Sequence, residues 1–303
     1  MSTLYNQADS NIRKTWLLIA VFLIFVIAIG WIFSEVLGNY IVLYIAVGFS
    51  VLTSFFSYWY SDKVVLALTK AKPIVKSDNP ELYRLVENLC ITSGLPLPKI
   101  YILQESQPNA FATGRSPEKA VIALTTGLLE KLERIELEGV IAHELSHIKN
   151  KDMLVQTMVV VLAGVIAIVS HLFLRISFFG GMGGRRSSKS SGNAGAIMLV
   201  IGLAAAILAP IAASLLRMSI SRKREFLADA SGALLTRHPN GLASALEKIS
   251  VDQTPMKKAS NSTAHLFIMN PFRGKQTKSW FTKLFLTHPP IEERIRALRG
   301  MRV

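Results

Sequence analysis

His143, Glu144 and His147, within the stretch His143-Glu-Leu-Ser-His147, are the residues best placed to do chemistry in this chain. Positions four apart on an α-helix share a face, so the two imidazoles can be presented to a single metal ion. Glu144 stands beside the first of them, where a carboxylate can take a proton from a metal-bound water. The chemistry so specified is metal-assisted hydrolysis. The surroundings suit a helix: Ile135, Leu137, Val140, Ile141 and Leu145 are apolar at near-helical spacing, and neither Pro nor Gly separates the histidines. Gly139 weakens that helix locally and opens a place for another backbone to come close. An amphipathic helix carrying ordinary histidines would spell the same five letters, so the weight falls on what lies downstream.

Two imidazoles do not complete a catalytic zinc site, which usually has three protein ligands and an open position for water. Two residues compete for the third place. His171 lies in a long apolar run, where a span-end role is its plainer use. Glu225 opens a helix-compatible segment, Arg224-Glu-Phe-Leu-Ala-Asp229, and Asp229 is four residues on along the same face. One carboxylate could bind the metal while the other orients a ligand imidazole. Taken alone, Glu225 reads as an exposed acid balancing Arg222, Lys223 and Arg224.

The ordered set of His143-Glu-Leu-Ser-His147, Arg224-Glu-Phe-Leu-Ala-Asp229 and His288-Pro-Pro, with the apolar runs below, resembles the membrane zinc peptidases of the HtpX heat-shock protease type, relatives of the type 1 CAAX prenyl endopeptidase. The motifs that carry the likeness run from about Lys72 to the C-terminus. The resemblance implies one Zn2+ per chain, held by His143, His147 and Glu225, with Glu144 as general base and Asp229 behind a ligand. It implies a hydrogen bond from His288 to the tetrahedral oxyanion, whereas on spacing alone His288 merely precedes the prolines that start the last helix. Arg294, one turn into that helix, either braces the site or pairs on the surface with Glu292 or Glu293. The stretch Asn109, Ala110, Phe111, Ala112 resembles the family's edge strand, to which an extended substrate would add through backbone hydrogen bonds. The implied substrates are misfolded or surplus membrane proteins and unfolded polypeptides, cut at cytoplasmic segments as part of quality control and the stress response.

These residues must be positioned by a chain that is apolar overall. Half of its 303 residues are hydrophobic, and the mean hydropathy is +0.38. That composition points to a membrane protein with a sizeable polar part. The net charge of +14 suits anionic lipid headgroups, and no nucleic-acid motif accompanies it. The one cysteine, Cys90, excludes an intrachain disulfide and reads as a buried thiol.

Four apolar runs are long enough to span a bilayer: 16–33, 40–60, 153–174 and 194–216. The expected division is an N-terminal membrane hairpin (1–60), a first catalytic part carrying the motif (61–152), a second hairpin (153–216) and a second catalytic part (217–303). Lys and Arg gather at 13–14, 63–76 and 217–224 and are missing between the first two runs, so the positive-inside rule puts both polar segments in the cytoplasm. The Gly- and Ser-rich loop 180–195 carries Arg185, Arg186 and Lys189 and runs against that rule. Either it crosses despite its charge, or the last two runs form a hairpin that does not fully cross. In the first polar segment, 79–92 reads as a helix ended by Gly94, Lys99–Leu103 as a strand, 107–114 as a turn, Ala120–Thr125 as a second strand and Thr126 as a helix cap.

The expectation is thus a mainly α multi-pass membrane protein with about four transmembrane helices and a cytoplasmic α+β, zincin-like metalloprotease domain, in the cell (inner) membrane. Rival readings are an intramembrane-type protease, a prenyl-protein endopeptidase and a zinc-binding scaffold without turnover. The charged flank of the motif (Glu133, Arg134, Glu136, Glu138, Lys149, Lys151, Asp152) argues against the first, too few spans against the second, and Glu144 against the third.

Overall fold

The computed structural model describes residues 4–180, 222–257, 263–272 and 289–301. The apolar run 194–216, most of the loop 180–195 and His288 lie outside them. The chain opens with two long helices, α1 (Leu4–Leu37) and α2 (Ile41–Thr69), joined by a short turn. Both are long and apolar enough to cross a membrane. Their large apolar side chains face outward, among them Trp16, Ile24 and Trp31 on α1 and Tyr44, Ile45 and Phe55 on α2. The small Ser50, Ser54, Ser57 and Ser61 of α2 are buried instead. Small residues inward and bulky apolar ones outward is how helices pack closely while facing lipid.

Helix α2 does not stop at residue 60. It continues to Thr69, so the boundary expected there falls inside one helix. Val65 in the extension packs with Leu103, Phe111, Ala123, Val160 and Phe267, which joins the helical hairpin to a sheet. That sheet has four strands, β1 (Lys72–Pro73), β2 (Lys99–Leu103), β3 (Ala110–Thr113) and β4 (Val121–Thr125), in the order β1-β2-β4-β3. β2 and β4 are parallel; β1 and β3 are antiparallel additions at the two edges. Strand β3 lies where the residue pattern gives a turn. Both of its faces are buried, so the polar alternation that marks a half-exposed strand is missing from Ala-Phe-Ala-Thr.

Helix α3 (Pro80–Ser93) begins at an Asn79 cap and ends at Gly94 in the left-handed region. Helix α4 (Thr126–Lys131) is capped by Thr125, one residue before the expected Thr126, whose hydroxyl instead donates to the Glu105 carbonyl. A reciprocal capping box between Glu133 and Glu136 starts the motif helix α5 (Arg134–Lys149). After only Asn150 and Lys151 the chain enters α6 (Asp152–Gly180), which packs Leu154, Met158 and Leu162 against Leu18 and Phe22 of α1. Among the described residues, α7 (Arg222–Thr236) and α8 (Pro239–Val251) pack on α5, and α9 (Ile291–Arg299) packs on both of them. One core runs from Leu82 and Ile122 through Ile141 to Leu246 and Leu298, so residues from both polar segments bury each other.

Candidate metal centre

Two glycines let the helices approach α5 at backbone distance. A Cβ on Gly139 would stand 2.7 Å from the Leu242 nitrogen of α8, and one on Gly232 would stand 3.0 Å from the His143 nitrogen. On α7, Glu225, Asp229 and Gly232 follow at helical spacing, so the face that touches α5 at Gly232 carries both carboxylates to the histidines.

There the geometry converges. Nε2 of His143 and Nε2 of His147 are 3.1 Å apart. The Glu225 oxygens lie 3.9 Å from the first and 3.6 Å from the second. All three residues are buried. Each imidazole turns its other nitrogen to a carboxylate: Nδ1 of His147 is 3.0 Å from Asp152 Oδ2, and Nδ1 of His143 is 2.9 Å from Asp229 Oδ1 in a short but bent contact. Those carboxylates claim the Nδ1 protons, which leaves two Nε2 lone pairs and a carboxylate pointing at one place. Such a set suits a bound cation. Ligand atoms of a tetrahedral zinc, about 2.0–2.1 Å from the metal, lie roughly 3.3 Å apart, close to these separations. Among the described residues, His143, His147 and Glu225 form the cluster of three side chains able to hold a metal ion.

The electrostatics agree. Burial, the largest influence, would lower the His147 pKa, yet the Asp152 hydrogen bond and the charges of Glu225, Asp152 and Glu144 lift it to about 9. Burial wins at His143 and holds it below its ordinary value. Burial, with Glu225 adding to it, pushes the neighbouring Glu144 carboxyl up to about 7, while the Ala112 amide hydrogen bond pulls the other way. Burial opposes ionisation of Asp229 too, but Arg294 and His143 overcome it and hold that carboxyl down at about 2.

A sequence profile of peptidase family M48 matches residues 76–302. The chain belongs to peptidase family M48. This M48 peptidase is 46% identical over 303 residues to a protease HtpX homolog of Thermoanaerobacter pseudethanolicus, covering 99% of this chain and 98% of that one. It is 48% identical over 287 residues to a protease HtpX homolog of Thermococcus sibiricus, covering 94% and 95%. In fold it is similar to the crystal structure of S. mikatae Ste24p, at a TM-score of 0.50 and 20% identity, covering 94% of this chain and 66% of that one. The chain is a metalloprotease, and the two long apolar helices among the described residues are in keeping with a membrane protein.

The M48 peptidase places the remaining expected residues unevenly. Arg294 is buried and braces the centre: its Nε and Nη2 donate to Asp229 at 2.8 and 2.7 Å, and its Nη1 is 3.7 Å from Glu225. The surface pairing with Glu292 or Glu293 is replaced by this fork. His171 is 19 residues beyond Asp152 along α6, about 28 Å at 1.5 Å per residue, too far to join the pair. His288 lies outside the described residues.

The edge strand β3 is not open along its whole length. The Asn109 side chain ties the strand to this chain's own segment, its Oδ1 accepting from the Met269 amide at 3.2 Å and its Nδ2 donating to the Met269 carbonyl at 2.9 Å. The outward carbonyl of Ala110 accepts from the Ile268 amide at 3.0 Å. Phe111 packs edge-on against Phe267 in the core. Of the four residues expected to receive a peptide, Asn109 and Ala110 are therefore engaged by this chain's own 268–269 segment, which leaves Ala112 beside Glu144.

Asp152 was not singled out by pattern. It reads in the sequence as one more charge flanking the motif, and only the break at Asn150 and Lys151 turns it back onto His147. Behind it stand Asn11, whose Nδ2 donates to Asp152 Oδ1 at 2.7 Å, and Arg224 at 3.5 Å.

Proposed function

We propose that this chain is a zinc-dependent endopeptidase of the cell membrane, multi-pass, with its catalytic domain in the cytoplasm. Its substrates on this reading are misfolded or surplus membrane proteins and unfolded polypeptides, cut in segments that reach the cytoplasmic face. The observation that carries the reading is the convergence of His143, His147 and Glu225 with Glu144 beside them. The donor set fits zinc, with two neutral imidazoles and one carboxylate, and His143, His147 and Glu225 would hold one ion per chain. Zinc bound there supplies Lewis acidity and a water that ionises near neutral pH.

The chain's own groups do the rest. Glu144 accepts the proton of the attacking water and returns it to the leaving amine. Asp152 and Asp229 fix the tautomers and directions of the two imidazoles. On this reading an extended peptide runs along β3 at Ala112, whose backbone amide bonds Glu144. His288 keeps its proposed hydrogen bond to the oxyanion as a separate test.

The motif helix sits among α7, α8 and the sheet rather than within an apolar run, which favours cleavage at the membrane surface over cleavage inside it. Orientation rests on the basic residues at 13–14, 63–76 and 217–224. The test is Glu144→Gln in the purified full-length protein. It should keep about one zinc and lose nearly all casein hydrolysis. Wild-type turnover in that variant would remove Glu144 from the mechanism.

A further inference from the structure

The two ligand imidazoles are backed differently. Behind His143, Asp229 is gripped by the rigid fork of Arg294 at 2.7 and 2.8 Å. Behind His147, Asp152 has its cation, Arg224, only at 3.5 Å. The closest partner of that carboxylate is an amide on α1: Asn11 Nδ2, 2.7 Å from Asp152 Oδ1. The same Nδ2 donates to the backbone carbonyl of Asn150 at 2.9 Å, and Asn11 Oδ1 accepts from Arg224 at 3.4 Å. Asn11 is fully buried. Both hydrogens of its amide are therefore spent at the corner between α5 and α6, one on the carbonyl that ends the motif helix and one on the carboxylate that begins the next. That corner is tight, since Lys151 holds a left-handed backbone at φ 55. An asparagine meets all three demands because its side chain offers two donors and an acceptor on a short arm.

We propose that Asn11, in the N-terminal apolar helix, is a positioning residue of the metal centre: through Asp152 it sets the ring of His147. Helix α1 is then part of the site, 139 to 141 residues from its partners in sequence. The proposal rests on the reading that His147 is a metal ligand. It adds that one of the three ligands is held in place from within the N-terminal apolar helix.

The experiment uses the full-length protein in detergent and compares wild type, Asn11→Leu, Asn11→Ala, Asp152→Asn, the double variant Asn11→Leu/Asp152→Asn, and Phe22→Ala. Zinc release to a chelator and the visible spectrum of the cobalt-loaded protein are read. Asn11→Leu should release zinc on the order of 10-fold faster, as losses behind a ligand do, and should alter the cobalt spectrum. Asn11→Ala covers the case in which leucine's bulk unfolds the corner, and it should alter both readouts in the same direction. The double variant should release zinc no faster than Asp152→Asn alone, because both act along one chain of contacts. Phe22→Ala, which loosens α1 against α6 elsewhere, should lower Tm and leave the cobalt spectrum unchanged. Wild-type spectra and release rates in the Asn11 variants, or additive effects in the double variant, would overturn the proposal. A wild-type protein that binds neither ion would overturn the metal reading itself.

Discussion

Asp152 Oδ2 lies 3.0 Å from Nδ1 of His147 although five residues and a helix break separate the two. On a continuous helix, positions five apart point in different directions. The turn at Asn150 and Lys151 is what brings the carboxylate under the ring, in the same relation that Asp229 has to His143.

From this equivalence, Asp152→Ala and Asp229→Ala should each weaken zinc binding about 10–100-fold. Competition against a metal indicator measures both. An Asp152→Ala protein with wild-type affinity would show that His147 needs no support from that side.

Arg294 is buried with two carboxylates, and Asp229 is held well below the usual range because of it. Arg294→Met should cost roughly 3–5 kcal/mol by leaving Asp229 buried with only the His143 imidazole against it. Denaturant unfolding of the zinc-free protein reads this directly. A loss below about 1 kcal/mol would mean that solvent reaches Asp229.

Gly139→Ala sets two effects against each other. Alanine gains about 1 kcal/mol of helix propensity over glycine. Its Cβ would stand 2.7 Å from the backbone of Leu242, and forcing α8 away costs typically 1–3 kcal/mol. Steric cost should win, and the variant should melt at a lower temperature than wild type. A raised Tm would show that α5 and α8 separate freely.

Cys90 is buried on α3, and burial pushes its thiol up to about 11. The folded state binds this proton more tightly than the unfolded chain, whose thiol titrates near 9. The stability contribution is therefore complete below pH 9 and is lost as pH rises from 9 to 11. Native Cys90 should resist iodoacetamide at pH 8 and react readily in denaturant. Rapid alkylation of the folded protein would contradict the packing of α3.

Much of the centre was legible because its pieces are local. His143 and His147 share a helical face, and so do Glu225 and Asp229, so spacing alone proposes a ligand pair and a carboxylate pair. The family resemblance joined them, and the fold adds the close approach at Gly232. Asp152 was not legible, since its role depends on a two-residue helix break. Asn11 was not either, for it reaches the site across 141 residues by tertiary packing. Strand β3 escaped the pattern for a third reason. Pro108, Asn109 and Gly114 mark a turn, and Ala110–Thr113, buried on both faces, shows none of the polar alternation that would mark a strand between them.

The central claim is that Glu225 completes a zinc site begun by His143 and His147. Metal analysis of the purified full-length protein beside its Glu225→Ala form tests it most directly. About one zinc per chain is expected in wild type and far less in the variant, because two imidazoles alone make an incomplete site. Full zinc in Glu225→Ala would contradict the assignment, and a metal-free wild type that still cleaves protein would contradict the whole account.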